Sequence, residues 1–185
     1  LLGCGFGQGT WVSHDGATHQ GAEGGAALRE AIALILTELG TPAQAPKPGA
    51  LQQGVPQPLA QAQPTDWTPL IGFGGAPFTL AAYLVEGKPS RDHLAARSLM
   101  HADPPTWDLL MRWCAQVTGD FMALQISCGA SAAQLFDSWA GSLSPTDYRE
   151  RVVPYSSLAI ARAREAISPT TGKAAPMIHF ATGSA

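Results

Sequence analysis

Charged residues are scarce in this chain of 185 residues, of which 14% are Asp, Glu, Lys or Arg and 45% are hydrophobic. Positive charge is rarest in the first half, where only Arg29 and Lys47 precede Lys88. The formal net charge of −3 gives no sign of the basic surface that binds nucleic acid. No apolar run approaches the roughly 20 residues that cross a bilayer. We therefore predict a cytoplasmic protein without a nucleic-acid or membrane partner.

Cysteine is equally scarce, since the chain has only Cys4, Cys114 and Cys128. They are widely spaced and odd in number, which predicts neither a disulfide framework nor a metal cluster. None of the five histidines has a cysteine two positions later, so the chain lacks a His-x-Cys pair for zinc. The chain starts with Leu-Leu rather than Met and stops after an apparent strand, which predicts an internal piece of a longer protein.

The first 66 residues divide into three segments by composition. Residues 1–25 are rich in glycine and are predicted to be irregular. Their GCGFGQG run lacks the third glycine of a dinucleotide-binding fingerprint and is not preceded by a strand, so a nucleotide site is not expected. A helix is predicted for residues 26–40, because its leucines and isoleucines would lie on one face and Gly40 would end it.

Residues 41–66 form the third segment, a loop or insertion rich in proline and glutamine. The stretch 41–67 has six prolines and six glutamines. Proline removes backbone donors and glutamine offers no hydrophobic core, so regular structure is not expected. A functional lid and a tolerated surface insertion are both compatible with this composition.

Strands and helices alternate through residues 67–185, which we predict to be one partial α/β domain. PLIGFGGAPFTLAAYLVEG (69–87) has the pattern of strand, tight turn and helix, with Pro77 at the helix start. The pattern recurs at AAQLFDSWAGSLSP (132–145), and APMIHFATG (175–183) predicts a third strand. Such alternation indicates a parallel sheet. The pattern alone leaves open whether the sheet is closed into a barrel or doubly wound.

Helix starts are predicted at Ser90, at Asp103-Pro104 and at Ser144-Pro145, each from a capping residue. The helix after Asp103 has apolar residues at intervals of three and four, which predicts a face that packs on the sheet. Cys114 lies on this face and is expected to be a small buried residue. Pro154 is expected to kink the helix that follows Ser144.

Three motifs resemble the uroporphyrinogen decarboxylase family, as found in bacteria. GFGGAPFTLAAYLVEG is similar to its signature segment, QLFDSWAGSLSP to its second hallmark, and PMIHFATG to the strand that follows. The 55 positions between Tyr83 and Ser138 also agree with the family's arrangement. The resemblance covers residues 67–183, and residues 26–40 are compatible with the helix before the first motif.

The resemblance implies a fold and an activity. The family fold is a (β/α)8 TIM barrel, so this chain would supply about three consecutive βα units, with the site at the carboxyl ends of the strands. Family members remove the acetate carboxyl groups of uroporphyrinogen III to give coproporphyrinogen III and CO2 in porphyrin and haem biosynthesis. They use neither a metal nor an organic cofactor. The implied partner is the tetrapyrrole, and a homodimer of the complete protein is compatible with the resemblance.

The resemblance assigns two substrate-binding residues and no catalytic residue. Tyr83 matches the family's substrate-contacting tyrosine, and Ser138 matches a small hydroxyl residue with the same role; both can hydrogen-bond a carboxylate. Gly74, Gly75 and Ala76 are expected either to let the backbone approach the substrate ring or to serve the turn. The family's aspartate, N-terminal arginines and late histidine lie in segments that this chain lacks.

Other polar residues near the motifs are expected to be structural. For Asp137 and His179 we favour structural hydrogen bonding over a place in the cleft, and for Glu86 and Trp139 a role in shaping the loops. Arg91 and Arg97 are expected to be solvated helix residues, with carboxylate binding as the alternative.

Two alternative functions remain open at this point. The chain could be an inactive, truncated remnant of the decarboxylase, since the catalytic segments are missing. A corrinoid-dependent methyltransferase of the same fold is the other alternative, but its zinc site needs the His-x-Cys pair that this sequence lacks.

Overall fold

The computed structural model describes residues 10–12, 18–39, 68–88 and 90–183, with side-chain environments from residue 25 onward. The predicted loop at 41–66 lies outside the described residues. The strands of the described chain are β1 Thr10–Val12, β2 Thr18–Gln20, β3 Ile71–Gly75, β4 Ala132–Asp137, β5 Ile167–Ser168, β6 Lys173–Ala174 and β7 Met177–Ala181. The helices are α1 Gly21–Leu39, α2 Pro77–Glu86, α3 Leu94–Ala102, α4 Pro104–Ser127, α5 Pro145–Arg151 and α6 Val153–Ala163.

The three predicted strands of the main domain form one parallel sheet in the order β3-β4-β7. Gly74 pairs with Leu135, which pairs with His179 on the other side. Helices α2 to α4 connect the first two strands, and α5 and α6 precede β7. The prediction of consecutive βα units is confirmed, because parallel neighbours need a crossover rather than a hairpin.

The segment 1–25 is more regular than its glycine content indicated. Thr10–Val12 and Thr18–Gln20 pair as antiparallel strands, and α1 already begins at Gly21 rather than at residue 26. Threonine, tryptophan and valine favour extended structure, which explains the first strand. The alanines that surround the glycines of α1 favour helix strongly enough to extend it toward its amino terminus.

Helix α4 joins the sheet to the other helices, and its apolar face is buried as predicted. Trp107, Met111 and Cys114 are at most 1% exposed and pack with Phe78. Further along, Met122 and its neighbours pack against β4 and α6. Full burial of one large apolar side chain is worth about 1.5–3 kcal/mol, so this helix contributes much of the core's stability.

Glycine in β3 allows α4 to approach the sheet closely. A Cβ added at Gly72 would lie 3.1 Å from Gln125 Cβ, and one added at Gly74 would lie 3.2 Å from Met122 Cγ. Both contacts are tighter than ordinary packing allows. The GFGG run therefore serves the packing of helix on strand, because side chains at these two positions would push α4 away.

Side chains of α4 also satisfy the edge of β3 that faces away from β4. Ala76 N–H donates to Phe136 O on β4. Since successive residues of a strand direct their N–H and C=O groups to alternate edges, those of Phe73 and Gly75 point away from β4. There, Gln125 accepts from Phe73 N–H at 3.0 Å and donates to Phe73 O at 2.8 Å. Thr118 Oγ1 donates to Gly75 O at 2.9 Å.

The opposite face of the sheet is mostly apolar, with Gln134 at its centre, and is uncovered within the described chain. Ile71, Phe73, Ile178 and Phe180 are between 43% and 60% exposed. Phe136 lies between two of them, with ring centroids 6.1 Å from Phe73 and 5.9 Å from Phe180. In a (β/α)8 barrel this face is the packed interior, so the arrangement agrees with part of such a barrel.

Two of the three predicted helix caps are found as expected. Asp103 accepts from Thr106 N–H at the start of α4, and Ser144 accepts from Asp147 N–H at the start of α5. The break expected near Pro154 is confirmed, because α5 ends at Arg151 and a new helix begins at Val153. None of the described helices has the length and apolar character needed to span a membrane.

Candidate functional site

The site lies where β3 and β4 end side by side. Only Ala76 separates β3 from α2, whereas residues 138–144 separate β4 from α5 and include a 3₁₀ turn, Ala140–Ser142. Carboxyl ends of parallel strands meet at one edge of a sheet, so both junctions open on the same side. The side chains of the two motifs are thereby brought together.

Tyr83 and the Ser138 segment are in contact through Trp139. The ring centroids of Tyr83 and Trp139 are 4.1 Å apart, and Ser138 is the exposed residue immediately before that tryptophan. Tyr83 is 40% exposed, and among the described residues its hydroxyl has no hydrogen-bond partner. Two segments that are 55 positions apart in sequence, the α2 turn of Tyr83 and the junction after β4, thus meet through this ring contact.

His93 is a central residue of the site that sequence reasoning missed. It is 3% exposed, and its ring stacks on Trp139 with centroids 4.3 Å apart. Its Nδ1 lies 3.2 Å from Ser142 Oγ, and that hydroxyl donates to Trp139 O at 2.8 Å. Since the serine proton is used in this bond, Nδ1 carries the hydrogen and donates it. Nε2 is then an acceptor, buried without a partner among the described residues.

The imidazole of His93 is held neutral by its surroundings. Burial lowers its pKa below the ordinary value of 6.5, and the nearby carboxylates of Glu86 and Asp92 oppose this effect only in part. Arg97 lowers the pKa further. A histidine in a loop between two charged residues gives little signal in sequence, because its burial depends on a tryptophan of another junction.

The start of α3 differs from the prediction. The helix begins at Leu94 rather than at Ser90, since Ser90 Oγ accepts from His93 N–H in a turn that precedes the helix. Glu86, at the end of α2, accepts from Ala95 N–H at 2.8 Å and Ala96 N–H at 3.2 Å. Its carboxylate thus caps α3 from the preceding helix, in agreement with a role in shaping the loops.

A cleft of about 370 Å³ opens beside Ser138. It is lined by Arg91, Asp92, His93, Arg97, Ser138, Trp139, Gly141, Ser142 and Thr182. The two arginines are predicted to be solvated helix residues, with carboxylate binding as the alternative. Arg97 lies in α3 and the exposed Arg91 precedes it, and both line the same cleft as Ser138. Their position beside Ser138 could not be read from spacing, because it depends on the turn at Ser90 and on the contact of His93 with the β4 junction.

Asp137 does not line the cleft but is buried between β4 and the helices. It is completely buried, on the same side of β4 as Ala133 and Leu135, which face the helices. Thr79 Oγ1 donates to it at 3.4 Å. Burial first, and then the charge of Asp137 and a hydrogen bond to it, raise the pKa of Tyr148 to about 12. These contacts support the structural role favoured from sequence.

His179 is the neighbour of Asp137 on β7. Its Nε2 lies 3.9 Å from Asp137 Oδ2, and its side chain is 30% exposed. It does not line the cleft. Gly74 likewise faces α4 rather than the cleft, so helix packing explains this glycine without a substrate. The described residues contain no group of three or more His, Cys, Asp or Glu side chains arranged to hold a metal ion.

A parallel sheet with helical crossovers and with hydroxyl, aromatic and basic side chains at its carboxyl edge is typical of α/β barrel enzymes. A family profile described as uroporphyrinogen decarboxylase matches residues 59–185. The chain belongs to the uroporphyrinogen decarboxylase family. Its fold is accordingly part of a (β/α)8 barrel.

Curated relatives carry the same name. Uroporphyrinogen decarboxylase of Arthrobacter sp. is 57% identical over 117 residues, which are 63% of this chain and 32% of that protein. The protein of that name from Leifsonia xyli subsp. xyli is 53% identical over 126 residues, 63% of this chain and 33% of the relative. The one from Rhodococcus erythropolis is 42% identical over 158 residues, 85% of this chain and 35% of the relative. The chain thus spans about a third of the length of these relatives.

Proposed function

We propose that this chain is the substrate-holding part of a uroporphyrinogen decarboxylase, which releases CO2 from the acetate arms of uroporphyrinogen III to give coproporphyrinogen III. The observation that carries the proposal is the contact of Tyr83 with Trp139, the residue that follows Ser138 at the carboxyl end of β4. It supplies two hydroxyl donors on an aromatic wall, as a ring with many carboxylate arms requires. The proposed activity is that of a cytoplasmic enzyme.

The chemistry explains what this segment contributes. Protonation of a pyrrole carbon beside an acetate arm makes the ring an electron sink, which takes up the electron pair left when CO2 departs. The protein has to hold the ring, place the proton donor and stabilise positive charge. In our proposal Tyr83 and Ser138 hold carboxylate arms through their hydroxyl groups, and they bring the reacting arm into place.

The test is a chimeric enzyme in which the 117-residue region shared with the Arthrobacter decarboxylase replaces the matching region of that enzyme. We expect it to convert uroporphyrinogen to coproporphyrinogen and to support growth of cells that lack their own decarboxylase. A folded chimeric enzyme without activity would overturn the proposal.

The alternative of an inactive remnant is favoured for the isolated chain, because it spans about a third of its relatives. We expect the 185-residue chain alone to release no CO2 from uroporphyrinogen. Turnover by the purified chain would contradict this expectation. A homodimer of the complete protein stays a prediction, to be checked by sedimentation of the chimeric enzyme.

A further inference from the structure

Arg91 and Arg97 are cationic side chains without an ion-pair partner in the part of the chain that the structure describes. Arg112 differs, because its Nε lies 2.8 Å from Asp108 Oδ2. Unpaired guanidinium groups on an ordinary surface are solvated singly, but these two line one cleft. Their fork of N–H donors matches a carboxylate in charge and geometry.

The other groups of the cleft leave this positive charge in excess. Asp92 is the one carboxylate among the lining residues, so two guanidinium charges face a single negative charge. His93 adds no charge, because burial lowers its pKa. Ser138 is exposed and contributes a hydroxyl donor, and its Oγ has no protein partner among the described residues. The cleft therefore offers donors and net positive charge to an anion.

The walls of the cleft are fixed before any ligand arrives. His93 adopts a left-handed backbone conformation with φ of 48° just after Arg91, and Ser90 closes the turn around it. On the other wall, a Cβ added at Gly141 would lie 2.7 Å from Thr182 O, which shows how closely the two backbones meet. Preorganised donors lose less entropy when a ligand binds.

We propose that the cleft binds one propionate arm of the tetrapyrrole, with Arg91 and Arg97 pairing with its carboxylate and Ser138 donating a hydrogen bond. The inference rests on the proposed function and extends it to a specific arm of the substrate. Trp139 lines the cleft and contacts Tyr83, so in our proposal one edge of the tetrapyrrole ring reaches both the cleft and Tyr83.

The reaction itself distinguishes propionate from acetate. A carboxylate that leaves as CO2 loses its charge on the way to the transition state. Guanidinium groups paired with it would stabilise the ground state more than the transition state and would slow the reaction. The propionate arms keep their charge throughout, so paired arginines hold the ring without opposing the chemistry.

The first experiment measures KM and kcat of the chimeric enzyme with the substitutions Arg91→Gln and Arg97→Gln combined. We expect KM to rise about tenfold or more while kcat changes less than about twofold, because charge-assisted hydrogen bonds common to ground and transition states are lost. Arg164→Gln removes an exposed charge of α6's end, outside the cleft, and should leave KM unchanged. A KM within about twofold of the parent would overturn the proposal.

The second measurement compares substrates with different numbers of acetate arms. Uroporphyrinogen has four acetate and four propionate arms. The pentacarboxylate intermediate keeps all four propionates and has only one acetate left. A propionate site predicts the same rise in KM for both substrates. A rise that disappears with the pentacarboxylate would assign the cleft to acetate and overturn the proposal.

Direct binding separates this inference from the proposed function. The 185-residue chain is titrated by calorimetry with porphobilinogen, a single pyrrole with one acetate and one propionate arm. Binding that the double variant loses and Arg164→Gln keeps supports the site, even if the chimeric enzyme proves inactive. Equal binding by all three proteins, no binding by the parent chain, or equally tight binding of inorganic phosphate would overturn it.

Discussion

The two strand-to-helix junctions of this chain, Ala76 and residues 138–144, lie side by side but differ in length and composition. The first turns within one residue, Ala76, and Pro77 and Phe78 beyond it are fully buried. The second extends over residues 138–144 and keeps Ser138 exposed next to the half-buried Trp139. The first is apolar and packed, whereas the second is polar at its surface and lines a cleft.

The difference shows that one junction serves the packing of the helices and the other forms the cleft. A turn of one residue has no room for polar side chains, so the first junction anchors α2 and lets α4 approach β3. The longer second junction can fold over the strand ends and meet the turn before α3. Tyr83, one turn before the end of α2, contacts Trp139, which lines the cleft.

Phe78→Ala should have the largest effect, on the packed junction. Phe78 is completely buried and contacts both His93 and Trp107, so truncation would leave a cavity and cost about 3–5 kcal/mol of unfolding free energy. Urea unfolding of the chimeric enzyme measures this cost. Ser138→Ala at the second junction is the matched change and should alter stability by less than about 0.5 kcal/mol. Similar losses in both variants would abolish the contrast between the junctions.

Gln125→Leu tests the support that α4 gives to β3. The substitution removes the two bonds to Phe73 and leaves its N–H and C=O without their side-chain partner, at a cost of about 1–3 kcal/mol. Gln116→Leu changes an exposed residue of the same helix and serves as the control. If both variants unfold at the parent's urea concentration, the edge contacts contribute nothing measurable.

Tyr83→Phe should affect activity rather than stability. The hydroxyl has no partner among the described residues, so its loss should leave urea unfolding unchanged while kcat/KM of the chimeric enzyme falls about tenfold. Tyr155→Phe is the opposite case, because the Tyr155 hydroxyl donates to Asp108 at 2.7 Å, away from the cleft. It should lower stability by about 1 kcal/mol and spare activity. An unchanged kcat/KM for Tyr83→Phe would remove the residue from the site.

The smallest expected effect is a pH dependence that His93 contributes. The folded chain holds this imidazole neutral, so its pKa is below the ordinary 6.5. As pH falls through 6.5 the unfolded chain gains a proton first, and stability decreases until the lowered folded pKa is reached. Above pH 6.5 the contribution is fully present.

His93→Asn is the variant that measures this contribution, since asparagine tolerates the left-handed backbone and can hydrogen-bond Ser142. Between pH 7.5 and pH 5.5 the parent should lose more stability than the variant. Parallel pH profiles would show that His93 is not held neutral.

The strands and the main helix could be predicted because their signals are local. The apolar runs of β3 and β4, the glycines of β3 and the repeat of three and four in α4 depend on neighbouring residues only. The start of α3 could not be predicted, because Glu86 caps it from another helix while Ser90 closes a separate turn. For the same reason the sequence left carboxylate binding by Arg91 and Arg97 only as the alternative, since the opposite wall of their cleft comes from the β4 junction.

The sequence by itself determined the parallel α/β architecture, the family and the two residues, Tyr83 and Ser138, expected to meet substrate. Periodicity and capping residues indicate the architecture, whereas the family and the expected roles of Tyr83 and Ser138 come from the resemblance of the three motifs. Only the tertiary structure decided that Gly74 serves helix packing, that Asp137 is buried beneath the site, and that Arg91 shares a cleft with Ser138. These outcomes depend on which faces of distant segments meet, and no local pattern specifies that.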